Sequence, residues 1–106
     1  MEEPGNLELR KHKRIPFNNE VEIRGEGIFH SVEISIGGMY IKTQEPHPVG
    51  TVLDLQFKLS KMDKCSINAQ GCVLYKHKNL GFGLGFLNLK PEDYQKLEEF
   101  IEQAGE

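Results

Sequence analysis

Two short segments hold the residue types whose spacing could do chemistry. The first, Arg10-Lys11-His12-Lys13-Arg14, places four formal cations in five positions. Residues four apart share a face whether the chain is helical or extended, so Arg10 and Arg14 project together. Their separation would be on the order of 6 Å along a helix or about 13 Å along a strand. Guanidinium is flat, permanently charged and forked. A pair of them can grip phosphate oxygens, stack on a planar base or match the O6/N7 edge of guanine. The run also reads as a solvated basic cluster, and charge alone does not separate the two readings.

The second segment is Glu33-Ile34-Ser35-Ile36-Gly37-Gly38. Strand alternation puts Ser31, Glu33 and Ser35 on the face opposite Val32, Ile34 and Ile36. A carboxylate there can accept from the N1–H and N2–H₂ donors of guanine. Ser35 adds a short hydroxyl, and Gly37 and Gly38 let backbone N–H groups come close to a ligand. Taken alone, a strand face ending in a glycine bulge is common in all-β domains.

The elements that must position these groups are mostly strands. Val21 and Ile23 share one face, and Arg24-Gly25-Glu26-Gly27 makes a turn. Residues 28–42 form a strand pair or one long bent strand, with a bend or bulge at Gly37-Gly38. Leu53, Leu55, Phe57 and Leu59 alternate inward after the loop at Pro46–Gly50. Ile67, Ala69, Gly71, Val73 and Tyr75 share a face of the next strand. Gly81, Gly83 and Gly85 then leave one face of the following strand bare, for close packing or a ligand. Pro91 opens a helix with Tyr94, Leu97, Phe100 or Ile101, and Ala104 as its apolar stripe. Several short strands and one closing helix point to an antiparallel β-barrel, the helix covering an end or an edge.

Composition narrows the function classes. A chain of 106 residues, 38% hydrophobic and 27% charged, reads as one globular domain. Residues 1–9 read as a flexible tail and 10–104 as the domain. The net charge of −3 hides a polarity. Glu92, Asp93, Glu98, Glu99, Glu102 and Glu106 face a single lysine, Lys96, at the C-terminal end. A short basic cluster on an acidic protein suits a small anion better than a nucleic-acid polymer, which needs an extended basic face. A nucleic-acid-binding barrel is further disfavoured by the lack of clustered aromatics for base stacking. No apolar run approaches the roughly 20 residues of a membrane span. The polar start, Met1 to Asn6, lacks the apolar stretch of a secretory signal, which points to the cytoplasm. Cys65 or Cys72 with His77 could be imagined as a nucleophile pair, but strand cysteines are mostly packing residues. No zinc-like spacing appears, and no catalytic constellation, so neither a metal nor an enzyme is expected.

In this order the two segments resemble the motif pair of the PilZ domain family: Arg-x-x-x-Arg before the first strand, then Asp/Asn-x-Ser-x-x-Gly. The likeness runs from about Arg10 to Ile101. It includes Ser35–Thr43, Gly50-Thr51-Val52, Gly81–Phe86 and the closing helix near Phe100-Ile101. It implies a bacterial receptor with a six-stranded antiparallel β-barrel and a C-terminal helix, binding cyclic di-GMP without a cofactor. Arg10 and Arg14 would grip guanine and phosphate, while Glu33, Ser35, Gly37 and Gly38 of the second motif hold guanine. Glu33 departs from the family's Asp or Asn, which weakens the expected binding. The expected signal is a change in the N-terminal arm that a partner protein reads. The alternative is a degenerate PilZ domain that acts as a protein adaptor without nucleotide.

Overall fold

A computed structural model describes residues 13–104, so the tail at 1–9 and its boundary lie outside the described residues. Within the described residues seven strands precede one helix: β1 (Ile15–Pro16), β2 (Glu20–Ile23), β3 (Gly27–Ile34), β4 (Gly38–Lys42), β5 (Val52–Phe57), β6 (Ile67–His77), β7 (Gly81–Phe86) and α1 (Pro91–Ala104). Six of them run in the order β3-β2-β5-β6-β7-β4, and β4 pairs back onto β3 to close a barrel. Every pairing is antiparallel. The extra strand, β1, continues along β3 where β2 leaves it.

Period-two burial builds this barrel. Val21 and Ile23 of β2, Leu53, Leu55 and Phe57 of β5, and Phe82 and Leu84 of β7 all reach one core. Their neighbours Glu20, Glu22, Asp54 and Gln56 face water. The turn between β2 and β3 is closed by Glu26 N–H donating to the Ile23 carbonyl at 2.9 Å. Gly25 and Gly27 take left-handed φ of 82° and 102° there, which side chains resist. At the same end His47 lies edge-on to Phe82, ring centroids 5.1 Å apart, with its Nε2 2.7 Å from Glu26 Oε1.

Two bulges break the simple alternation. Across β3 and β4 the register passes from Ser31↔Ile41 to Glu33↔Tyr40, leaving Val32 as an extra residue. Val32 is therefore 37% exposed and Ser31 is buried at 1%, the reverse of the faces expected from sequence. The expected break at Gly37-Gly38 is instead the tight turn joining β3 to β4, with Ser35 N–H donating to the Gly38 carbonyl at 2.8 Å. The second bulge lies across β6 and β7, where Val73↔Leu84 is followed by Tyr75↔Gly83. Leu74 is the extra residue, and Tyr75 moves from the expected inward face to the outer one.

The helix also lies differently from its sequence stripe. Its contact line runs through positions four apart, Asp93, Leu97 and Ile101, with Phe100 edge-on to Phe17 at 5.7 Å. Tyr94 and Ala104 flank that line and stay exposed.

Ser31 fills the gap where β3 exchanges β2 for β1. Its hydroxyl is 2.8 Å from the Phe17 carbonyl and 3.1 Å from the Asn19 carbonyl, and can donate to either. Backbone bonds from Phe17 N–H to the Val32 carbonyl and Ser31 N–H to the Asn19 carbonyl flank it. Ser31→Ala removes the donor from buried carbonyls and should lower unfolding free energy by about 1–3 kcal/mol in a urea titration. Ser31→Cys, close in size but only a weak donor, should lose a similar amount.

Candidate functional site

Arg14 owes its direction to its neighbour. Ile15 is buried opposite Ile34, so the adjoining residues Arg14 and Glu33 fall on the outward face. There Arg14 Nη1 lies 3.7 Å from Glu33 Oε1, with 41% and 46% of the two side chains exposed. These two residues line one narrow cleft with Ser35, Gly38, Tyr40 and Tyr75. The cleft encloses about 30 Å³. Two wider polar grooves over β2 and β5 contain none of the motif residues.

The turn beneath the cleft is held from within. Ser35 is 8% exposed, and its Oγ accepts from Gly37 N–H at 3.1 Å and Gly38 N–H at 3.2 Å. The Gly37 carbonyl accepts from Phe86 N–H at 2.8 Å, tying the turn to the end of β7. Gly37 itself is not part of the cleft wall. Gly38 is a glycine because a Cβ there would stand 1.8 Å from the Leu84 carbonyl oxygen. Both N–H groups expected to face a ligand are thus already engaged by Ser35.

The far wall is aromatic. Tyr40, Gly83 and Tyr75 pair in one row across β4, β7 and β6, and the two rings flank the bare glycine. The Tyr40 and Tyr75 ring centroids are 6.2 Å apart, and Tyr40 Oη is 2.9 Å from His77 Nδ1. Burial raises the Tyr40 phenol above its usual pKa, and Tyr75 adds to the effect, so the phenol stays neutral. These rings were missed in the sequence. The glycine alternation at 81–85 was the available signal, but its partners depend on the bulge at Leu74.

Of the sequence-derived site residues, the structure brings Arg14, Glu33, Ser35 and Gly38 together, with Gly37 in the adjoining turn. Arg10 lies outside the described residues. Cys65 is exposed and Cys72 half-buried, while His77 is engaged with Tyr40. Among the described residues no group of three or more His, Cys, Asp or Glu side chains could hold a metal ion. No described helix is long and apolar enough to cross a membrane.

A closed antiparallel β-barrel with a helix against its core and an arginine–carboxylate cleft on its outer wall defines a small all-β barrel domain. The chain belongs to the PilZ domain family, whose sequence model matches residues 8–103. No curated protein sequence matches it. Among solved structures it is similar to the Bacillus subtilis inhibitor of motility, MotI/DgrA, with a TM-score of 0.79 at 20% identity. That match covers 91% of this chain and 50% of the other. It is also similar to Escherichia coli YcgR in complex with c-di-GMP, with a TM-score of 0.71 at 15% identity, covering 91% of this chain and 46% of that one. The PilZ domain of YcgR with c-di-GMP gives 0.66 at 14% identity and 91% coverage of both chains. The chain thus spans about half the length of the first two proteins.

The two cleft glycines should respond differently to a methyl group. At Gly38 the obstacle is backbone, whereas at Gly83 it is the tip of the Tyr75 ring, 2.3 Å from the added Cβ. Gly38→Ala should cost about 1–3 kcal/mol or more in denaturant unfolding, and Gly83→Ala less. Near-ultraviolet circular dichroism should show the Tyr75 ring displaced in Gly83→Ala.

Proposed function

We propose that this chain is a cyclic di-GMP receptor domain whose ligand lies across the Arg14–Glu33 cleft. The observation that carries the reading is the convergence of Arg14, Glu33, Ser35 and Gly38 on one outward cleft beside two tyrosine rings. Arg14, joined by Arg10, supplies cationic forks for phosphate and a guanine edge. Glu33 accepts from the guanine donors. Ser35, Gly37 and Gly38 frame the base as a preformed turn, and the rings of Tyr40 and Tyr75 offer a face for stacking. The c-di-GMP held by the YcgR structures supports the same ligand class.

We further infer that the nucleotide changes the conformation of the N-terminal arm, and that a partner protein reads the change. Arg14 directly precedes β1, so a contact at its guanidinium acts on the point where the arm meets the barrel. The adaptor reading, without nucleotide, draws support from the internal engagement of Ser35 and Glu33.

Calorimetric titration with cyclic di-GMP separates these readings. The wild-type chain should bind, and Arg14→Ala should bind about tenfold or more weakly, as expected for a lost charged hydrogen bond. Tyr75→Ala should also weaken binding, by about five- to a hundredfold if its ring stacks on a base. A flat wild-type isotherm would remove the receptor reading. Full affinity in Arg14→Ala would remove Arg14 from the site.

A further inference from the structure

Resting on the receptor reading, we propose that Glu33 is the built-in counter-ion of Arg14. It thereby makes the site selective for ligands that carry both an anion and a donor edge. Arg14 Nη1 is 3.7 Å from Glu33 Oε1 in the unliganded chain. Both side chains line the cleft, and the paired Ile15 and Ile34 behind them leave the two residues diagonal to one another on the outward face. An incoming anion that takes the guanidinium must draw it away from this carboxylate. A simple phosphate then leaves Glu33 in the cleft without its partner and facing a second negative charge.

A guanine nucleotide resolves both halves of the exchange. Its phosphate takes Arg14, and its N1–H and N2–H₂ donors take the released carboxylate. An adenine nucleotide supplies the phosphate, but its Watson–Crick edge offers the carboxylate only the N6–H₂ donor and sets the N1 acceptor lone pair beside it, where guanine offers two adjacent donors. Discrimination therefore comes from a penalty on the wrong ligand as well as from contacts to the right one. The length of glutamate matters here, since its extra methylene helps the carboxylate reach the guanidinium.

The strength of the effect follows from exposure. With nearly half of each side chain in water, the pair restrains Arg14 modestly, by about two- to fivefold in anion affinity. Leaving a carboxylate opposite an acceptor is the larger effect, about tenfold or more between the two bases.

The test titrates the full chain with inorganic pyrophosphate, cyclic di-GMP and cyclic di-AMP. Its variants are Glu33→Gln, Arg14→Ala and the double substitution, each checked for folding by a circular dichroism melt. Glu33→Gln should bind pyrophosphate about two- to fivefold more tightly than wild type, and its preference for the guanine over the adenine dinucleotide should fall about tenfold. In the Arg14→Ala background the pyrophosphate gain should vanish. The proposal is overturned by equal pyrophosphate affinity in wild type and Glu33→Gln, or by flat pyrophosphate isotherms throughout. A gain that persists without Arg14 overturns it too, because the cause is then general charge removal. Retained guanine preference in Glu33→Gln overturns the selectivity claim while leaving the receptor reading intact. Failure of wild type to bind either dinucleotide overturns the receptor reading, and the selectivity claim falls with it.

Discussion

β1 pairs with the barrel through two residues only, Ile15 opposite Ile34 and Pro16 opposite Glu33. So short a ladder has little hydrogen bonding to set its register. The register comes instead from burial, because slipping by one residue would bring Arg14 into the core and Ile15 into water. Ser31 reinforces it from below by bonding the Phe17 and Asn19 carbonyls. Phe17, one residue past β1, is in turn clamped edge-on by Phe57 and Phe100. The direction of one guanidinium is thus decided by apolar packing on the opposite side of its own backbone.

The cleft depends on how closely three strands can approach. Gly38 admits the Leu84 carbonyl, and Gly83 admits the Tyr75 ring. Larger residues would fill the floor that the tyrosines now cover. Ser35 spends its hydroxyl on the turn, and His77 steadies the Tyr40 phenol. The walls are consequently held by the fold's own contacts, so the ligand proposed for the cleft would meet a low ordering cost. The Arg14–Glu33 pair, at 3.7 Å and half in solvent, is the adjustable part of this frame.

The barrel and its closing helix were legible in the sequence because burial at Val21, Ile23, Leu53, Leu55, Phe57 and Leu97 follows plain period-two and helical spacing. The bulges were not. Nothing in His30-Ser31-Val32-Glu33 or Val73-Leu74-Tyr75 marks one residue as extra, since a bulge is a relation between two strands and shows only in their register. Each bulge inverted the expected face of a residue that matters: Ser31 went inward and Tyr75 outward. Arg14, Glu33, Ser35 and Gly38 were readable as a group, because residue type and order carry that signal. The aromatic wall was hidden, because it joins β4 and β6 through β7, which lies far from β4 in sequence and meets Tyr75 only after the bulge at Leu74.

Closure of the sheet has a consequence for recognition. Each of the six barrel strands has a hydrogen-bonded neighbour on both sides, so among the described residues only the two-residue β1 ends the sheet. A binding protein therefore finds no long row of vacant amides and carbonyls to extend with a strand of its own. It has to read side chains and shape instead. A change confined to a few side chains around the cleft is then a message in the alphabet that such a reader uses.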